Sequence, residues 1–194
     1  MNTLSPHEAP PIPTFPGRTM ADFDALPEGT LSQLVDGTLL MSPAPSFRHQ
    51  RITWRLGAML SDFVEEHELG IVVGGPIDVR LREDQAFQPD LLFVSHERYD
   101  MLSERGLEGA PDLVVEVLSP STGYYDLTAK RRVYEQSGVR EYWIVDPLEE
   151  TIEVLTLTDE VYRVAGRVEG TGIATSVVLD GFTLDAASLF APLR

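Results

Sequence analysis

Apolar residues in this chain recur at two periods, and the periods alternate along its length. Over residues 46–70, Ile52, Leu56, Met59, Leu60, Phe63 and Val64 share one face of a 3.6-residue repeat. That pattern predicts a long amphipathic helix closed by Gly70. Thr19 caps a shorter helical stretch, "TMADFDALPEG", which Pro27-Glu28-Gly29 ends. Between the two, "TLSQLVDGTLLMSP" alternates about Asp36-Gly37, a pair that favours a hairpin turn, and Pro43, Pro45 and Ser46 break its second strand. After the long helix, "IVVGGPIDVRLRE" predicts two strands separated by a Gly-Gly-Pro bulge or turn, and "QPDLLFVS" predicts a third. "RYDMLSERGLEGA" reads as a connector with some helix. "DLVVEVLS" is nearly all apolar, so this fourth strand is predicted to be buried on both faces. A helix over roughly 124–136, stopped by Gly138, follows. The strand "REYWIVDP", a hairpin in "TIEVLTLTDEVYRVAGRV" and a last strand and helix complete the chain.

This order predicts an α/β (α+β) domain, a mixed sheet with helices on its faces. Residues 1–18 carry five prolines and little periodicity. They are expected to form a flexible tail, leaving 19–194 as a single domain.

Composition narrows the function classes. An apolar fraction of 43% and a charged fraction of 24% over 194 residues are ordinary for a globular protein. The chain has no cysteine, which excludes disulfides, thiolate zinc sites, iron–sulfur clusters and cysteine nucleophiles. The expected setting is cytoplasmic. No apolar run approaches the ~20 residues of a membrane helix, so no membrane association is expected. The N-terminus lacks the basic start and apolar centre of a secretory signal. A net charge of −16 argues against a broad basic surface that coats nucleic acid. It leaves room for a local basic groove, or for carboxylates that hold cations.

The candidate chemistry lies at two Pro-Asp pairs and one lysine. Asp90 and Asp112 each follow a proline at a predicted strand start. Strand alternation puts Asp112, Val114, Glu116 and Leu118 on one face, so Glu116 has apolar neighbours. A carboxylate buried there is protonated, paired with a cation, or bound to a metal. Asp90, on the preceding strand, is the strongest second acid. Two carboxylates from neighbouring strands can hold magnesium or manganese through oxygen ligands and leave positions for water. A nearby ammonium would stabilise charge developing on a phosphate.

Among 15 basic residues, Lys130 is the single lysine. Lysine is a compact point charge on a flexible stem, which a bulky guanidinium does not replace. Lys130 falls on the helix after the Glu116 strand, with Asp126 one turn before it and Tyr134 one turn after. The plainer reading is a lysine on a solvated helix face. His49, at the start of the long helix, is a site residue or a cap. Asp78 is a third acid or the polar position of an alternating strand. Tyr142 and Trp143 are most simply core or interface residues.

At Pro89-Asp90 and Glu116-Val117-Leu118 the chain resembles the PD-(D/E)XK nuclease superfamily. More closely it resembles the Uma-type family of restriction-endonuclease-like proteins. The matching text is "LVDGTLLMSPAPSFRHQRI", "IDVRL", "QPDLLFVS", "GAPDLVVEVLSPST", "YYDLTAKRRVYEQSGVREYWIVDP" and "LDGFTLDAASLF". The resemblance covers nearly everything after about residue 19 and implies a restriction-endonuclease-like fold.

It further implies magnesium-dependent (or manganese-dependent) endonuclease cleavage of DNA. Asp90 and Glu116 would be metal ligands, and Lys130 the catalytic lysine, displaced from the usual position that Leu118 occupies. His49 and Asp78 match family positions. Gln33 and Thr38 stand where the family usually has glutamates, a departure of this member from the family pattern. DNA is the implied partner. A homodimer is expected, because symmetric dimers are common and duplex cleavage needs two cuts. Two other classes stay open, a catalytically weak or inactive scaffold with the nuclease fold, and a metal-dependent hydrolase of small phosphoesters.

Overall fold

The computed structural model describes residues 12–119 and 126–192, the side chains of 126 and 127 excepted. Strand β1 (Thr14–Pro16) and helix α1 (Met20–Asp24) lead into the hairpin β2 (Ser32–Val35) and β3 (Thr38–Met41). The long helix α2 (Phe47–Glu66) follows, then β4 (Gly70–Gly74), β5 (Val79–Arg82), β6 (Gln85–Phe87) and β7 (Leu91–Ser95). A 3-10 turn, His96–Met101, precedes the short β8 (Leu102–Ser103) and β9 (Gly106–Glu108), and β10 (Leu113–Val117) comes next. A π-helical segment, Asp126–Lys130, runs directly into α3 (Arg131–Ser137). Strand β11 (Glu141–Asp146), the hairpin β12 (Thr151–Thr158) and β13 (Val161–Glu169), the pair β14 (Ile173–Thr175) and β15 (Thr183–Asp185), and α4 (Ala186–Phe190) complete the chain.

The strands form two larger sheets where one was expected. A six-stranded sheet has the order β13-β12-β11-β10-β7-β4, and a seven-stranded sheet has the order β1-β3-β2-β6-β5-β9-β8. Strands β10 and β11 run in parallel and are joined through α3, the crossover that a parallel pair requires.

The hairpin turn forms as its residues dictate. Asp36 and Gly37 both have positive φ, 47° and 69°. That is the backbone two-residue hairpins favour. The expected tail contains a strand instead, because β1 pairs with β3 through Phe15 and Leu39. It lies at the sheet edge, where proline's missing N–H is tolerated. The predicted helix over 124–136 begins outside the described residues. Its end is as expected, with Gly138 in the left-handed conformation at φ 83°.

Two layers of core sandwich β10. Leu113, Val115 and Val117 pack with Ile52, Leu56, Leu60 and Val64 of α2. Val114 packs on the opposite face, with Val133, Tyr134 and Tyr142. The fourth predicted strand is thus buried on both faces, and Glu116 lies on the α3 side.

Glu141 anchors the C-terminal segment and was not singled out by the sequence. Its fully buried carboxylate accepts hydrogen bonds from Trp143 Nε1 (2.6 Å), Ser176 Oγ (2.7 Å) and the Val177 and Val178 N–H groups (2.6 and 2.9 Å). Glu141→Gln replaces one accepting oxygen with a donor facing donors. It is expected to cost about 2–3 kcal/mol in urea unfolding. A cost near zero would mean that this segment is held by other contacts.

A second link joins the β2–β3 turn to α3, where Arg132 donates to Asp36. This bond holds the Asp36 carboxyl below the usual carboxylate range. A depressed folded value stabilises the protein above the unfolded value, about 4, and the effect is lost as pH falls through the folded one. The pair is half exposed, so screening holds the effect well under 1 kcal/mol. The stability difference between wild type and Asp36→Asn should therefore be small at neutral pH and shrink as pH falls below about 4 through the folded value.

Candidate active site

The register between β7 and β10 brings two acids together. Val115 pairs with Leu91, so one further step sets Glu116 opposite Asp90. The end of β4 fixes the backbone here. Gly75 N–H donates to the Asp90 carbonyl at 2.8 Å. A Cβ on Gly75 would lie 2.5 Å from the Pro89 carbonyl oxygen, so only glycine permits this approach. Ser46 caps α2 by accepting from His49 N–H, which seats His49 at the helix start beside the strand ends.

Both acids are held by neighbouring groups. Asp90 Oδ2 accepts from Val117 N–H at 2.7 Å and from His49 Nε2 at 3.1 Å. Glu116 Oε1 meets the Lys130 ammonium at 2.7 Å and accepts from the Tyr134 hydroxyl at 2.8 Å. Glu116 is 2% exposed and Lys130 3%. The single lysine is therefore buried against the buried acid, and the reading of it as a solvated surface charge is wrong. A buried ion pair is weak evidence for stability, since desolvation offsets most of its Coulomb attraction. A buried pair lining a cleft is instead a candidate for chemistry.

Gln33, His49, Asp90, Glu116, Ser119 and Lys130 line a cleft of about 690 Å³. Asp78 does not join them. It lies in a neighbouring cleft of about 420 Å³, accepting from Gln88 Nε2 at 2.9 Å and lying 3.6 Å from Arg80. Asp78 immediately precedes β5 instead of alternating within it, so it is neither a polar strand position nor part of the cleft that holds Asp90 and Glu116. The side chain of Asp126 lies outside the described residues.

The second Pro-Asp pair is separated from the first by its partners. Buried Asp112 accepts from Ser95 N–H at 2.8 Å and pairs with Arg98 and Arg140 at 3.2 and 3.3 Å. Thr38 lies opposite Pro16 in the sheet and does not line the cleft, whereas Gln33 does. Tyr142 and Trp143 are buried in the core. Tyr134 is the contact that sequence reasoning missed as a partner of Glu116. Its spacing of four residues from Lys130 was the signal.

Among the described residues no three or more His, Cys, Asp or Glu side chains are grouped as metal ligands. The cleft offers two carboxylates and neutral oxygens, and Gln33 Oε1 is buried without a hydrogen-bond partner among the described residues. Such a set of hard oxygen donors fits magnesium or manganese. These ions bind through one or two carboxylates and take their remaining ligands from water and phosphate.

A crystal structure of a putative nuclease belonging to DUF820 from Anabaena variabilis has the same fold. It matches at TM-score 0.75 and 21% identity, covering 89% of this chain and 97% of that one. No curated protein matches this chain. Among the described residues no helix is long and apolar enough to cross a membrane. Residues 20–187 match the model of a family described as putative restriction endonuclease, and the chain therefore belongs to the Uma2 family.

Proposed function

We propose that this protein is a magnesium- or manganese-dependent endonuclease that hydrolyses DNA phosphodiester bonds in the cleft between Asp90 and Lys130. The observation that carries this reading is convergence. Residues 49, 90, 116 and 130, from α2, the approach to β7, β10 and the π-helical segment, meet in one cleft, and the last is the chain's single lysine. The family membership supports nuclease chemistry for this cleft.

Asp90 and Glu116 would hold the cation. When bound, it supplies Lewis-acid stabilisation of phosphoryl charge and lowers the pKa of a water molecule. The remaining work falls to the chain's own groups. Lys130 presents an ammonium at Glu116 Oε1, where it can stabilise negative charge on a scissile phosphate. Tyr134 fixes the Glu116 carboxylate through its hydroxyl, and His49 fixes Asp90 through Nε2. Both act as positioning residues, in the way that outer groups orient metal ligands. A homodimer would supply the two cuts that a duplex break needs.

The test is incubation with supercoiled plasmid, single-stranded DNA, RNA and a small aryl phosphodiester, each with magnesium, manganese or a chelator. The expected result is nicking of the plasmid that needs either ion and stops with chelator. Turnover of the small diester alone would favour the phosphoester reading, which the modest cleft volume and the charge of −16 favour over long DNA. No turnover of any substrate with either ion would favour a non-catalytic scaffold.

A further inference from the structure

Gln33 is a buried polar residue in a strand that is otherwise buried throughout. Strand alternation puts it on the same face as Val35, which packs with Val114 of β10. Gln33 thus faces the strand that carries Glu116, across the cleft that both residues line. It is 8% exposed. Its Nε2 donates to Ser42 Oγ at 3.3 Å, and its Oε1 has no partner among the described residues. A buried acceptor left without a donor costs stability comparable to a lost hydrogen bond, so a partner for it is expected.

We propose that Gln33 Oε1 is a third protein oxygen for the cation, a neutral ligand that completes the set begun by Asp90 and Glu116. This rests on the reading of the cleft as a cation site. Amide oxygens are ordinary ligands of hard divalent ions, and cation affinity is set largely by the number of charged ligands. Both contacts of Asp90 fall on Oδ2, which leaves Oδ1 for a further partner. Among the described lining residues, Asp90, Glu116 and Lys130 give the cleft a formal charge of −1 with His49 neutral. A neutral third ligand keeps it there, and a carboxylate at position 33 would double it.

The experiment counts free Mn²⁺ by its electron paramagnetic resonance signal in titrations of the whole protein. The chains compared are wild type, Gln33→Glu, Gln33→Leu, Gln33→Asn and Asp90→Asn, each checked for native near-UV circular dichroism. Gln33→Glu is expected to tighten Mn²⁺ binding about tenfold, and Gln33→Leu to weaken it about fivefold. Gln33→Asn keeps the amide but withdraws its oxygen by one methylene, and is expected to weaken binding similarly. It keeps the test open should either other variant fail to fold.

If Asp90→Asn loses the ion while every folded position-33 variant binds as wild type does, the role of Gln33 is overturned and the cation site stands. If Asp90→Asn binds as wild type does, or wild type binds no Mn²⁺, the cation site is overturned and the role of Gln33 with it.

Discussion

Replacing Lys130 with methionine is expected to reduce cleavage by about 10²–10³-fold, the usual loss when one electrostatic stabiliser of a transition state is removed. The same change should cost about 3–5 kcal/mol of stability, because it leaves Glu116 as a buried charge without its cation. The two effects separate in a double variant. Lys130→Met with Glu116→Gln removes both charges and keeps an oxygen to accept from Tyr134, so most of the lost stability should return while activity does not. Urea midpoints and single-turnover rates on the three chains decide the matter. Full activity in a folded Lys130→Met protein would remove Lys130 from the chemistry. A double variant no more stable than the single one would mean that the charge pair is not what Lys130 contributes.

Asp90→Asn is expected to abolish cleavage, by about 10³-fold or more, while changing stability by under about 1.5 kcal/mol. The asymmetry follows from its partners. Asparagine retains one oxygen for Val117 N–H, so the backbone contact that seats this residue survives. What disappears is the negative charge that a hard cation requires. His49 then faces an amide in place of a carboxylate, so its hold on position 90 weakens as well. His49→Ala should reproduce only part of the loss, about 10–100-fold, as expected for a group that orients a ligand without being one. Equal losses for Asp90→Asn and His49→Ala would instead assign His49 a direct part in the reaction.

Local signals in the sequence were reliable where the chain answers to its own neighbours. The Asp36-Gly37 turn, the Thr19 cap of α1 and the Gly138 stop each depend on a few adjacent residues, and each is found where it was expected. The near-continuous apolar run of β10 led directly to a strand buried on both faces, with Glu116 in it. Partner choice was not legible in this way. Period-2 alternation does not say which strands pair, so two sheets were read as one and the β1 strand was read as tail. The two Pro-Asp pairs look alike in sequence. Only the arginines from residues 98 and 140 mark Asp112 as an internally satisfied acid. Asp78 carried a family match, yet it precedes β5 and lies in a different cleft, beside Arg80 of that strand. Gln33 was legible only as a departure from a family pattern. Its burial and its unpartnered oxygen emerge from the fold of one sheet against the other.

The position of manganese in a soaked crystal bears on the cleft's chemistry with the fewest intervening steps. Anomalous scattering at the manganese edge is expected to show a peak within about 2.5 Å of a carboxylate oxygen of both Asp90 and Glu116, the reach of direct ligation by such ions. A crystal that binds manganese elsewhere, or that leaves these two carboxylates without a peak at millimolar manganese, would contradict the assignment of this cleft as a metal-dependent nuclease site.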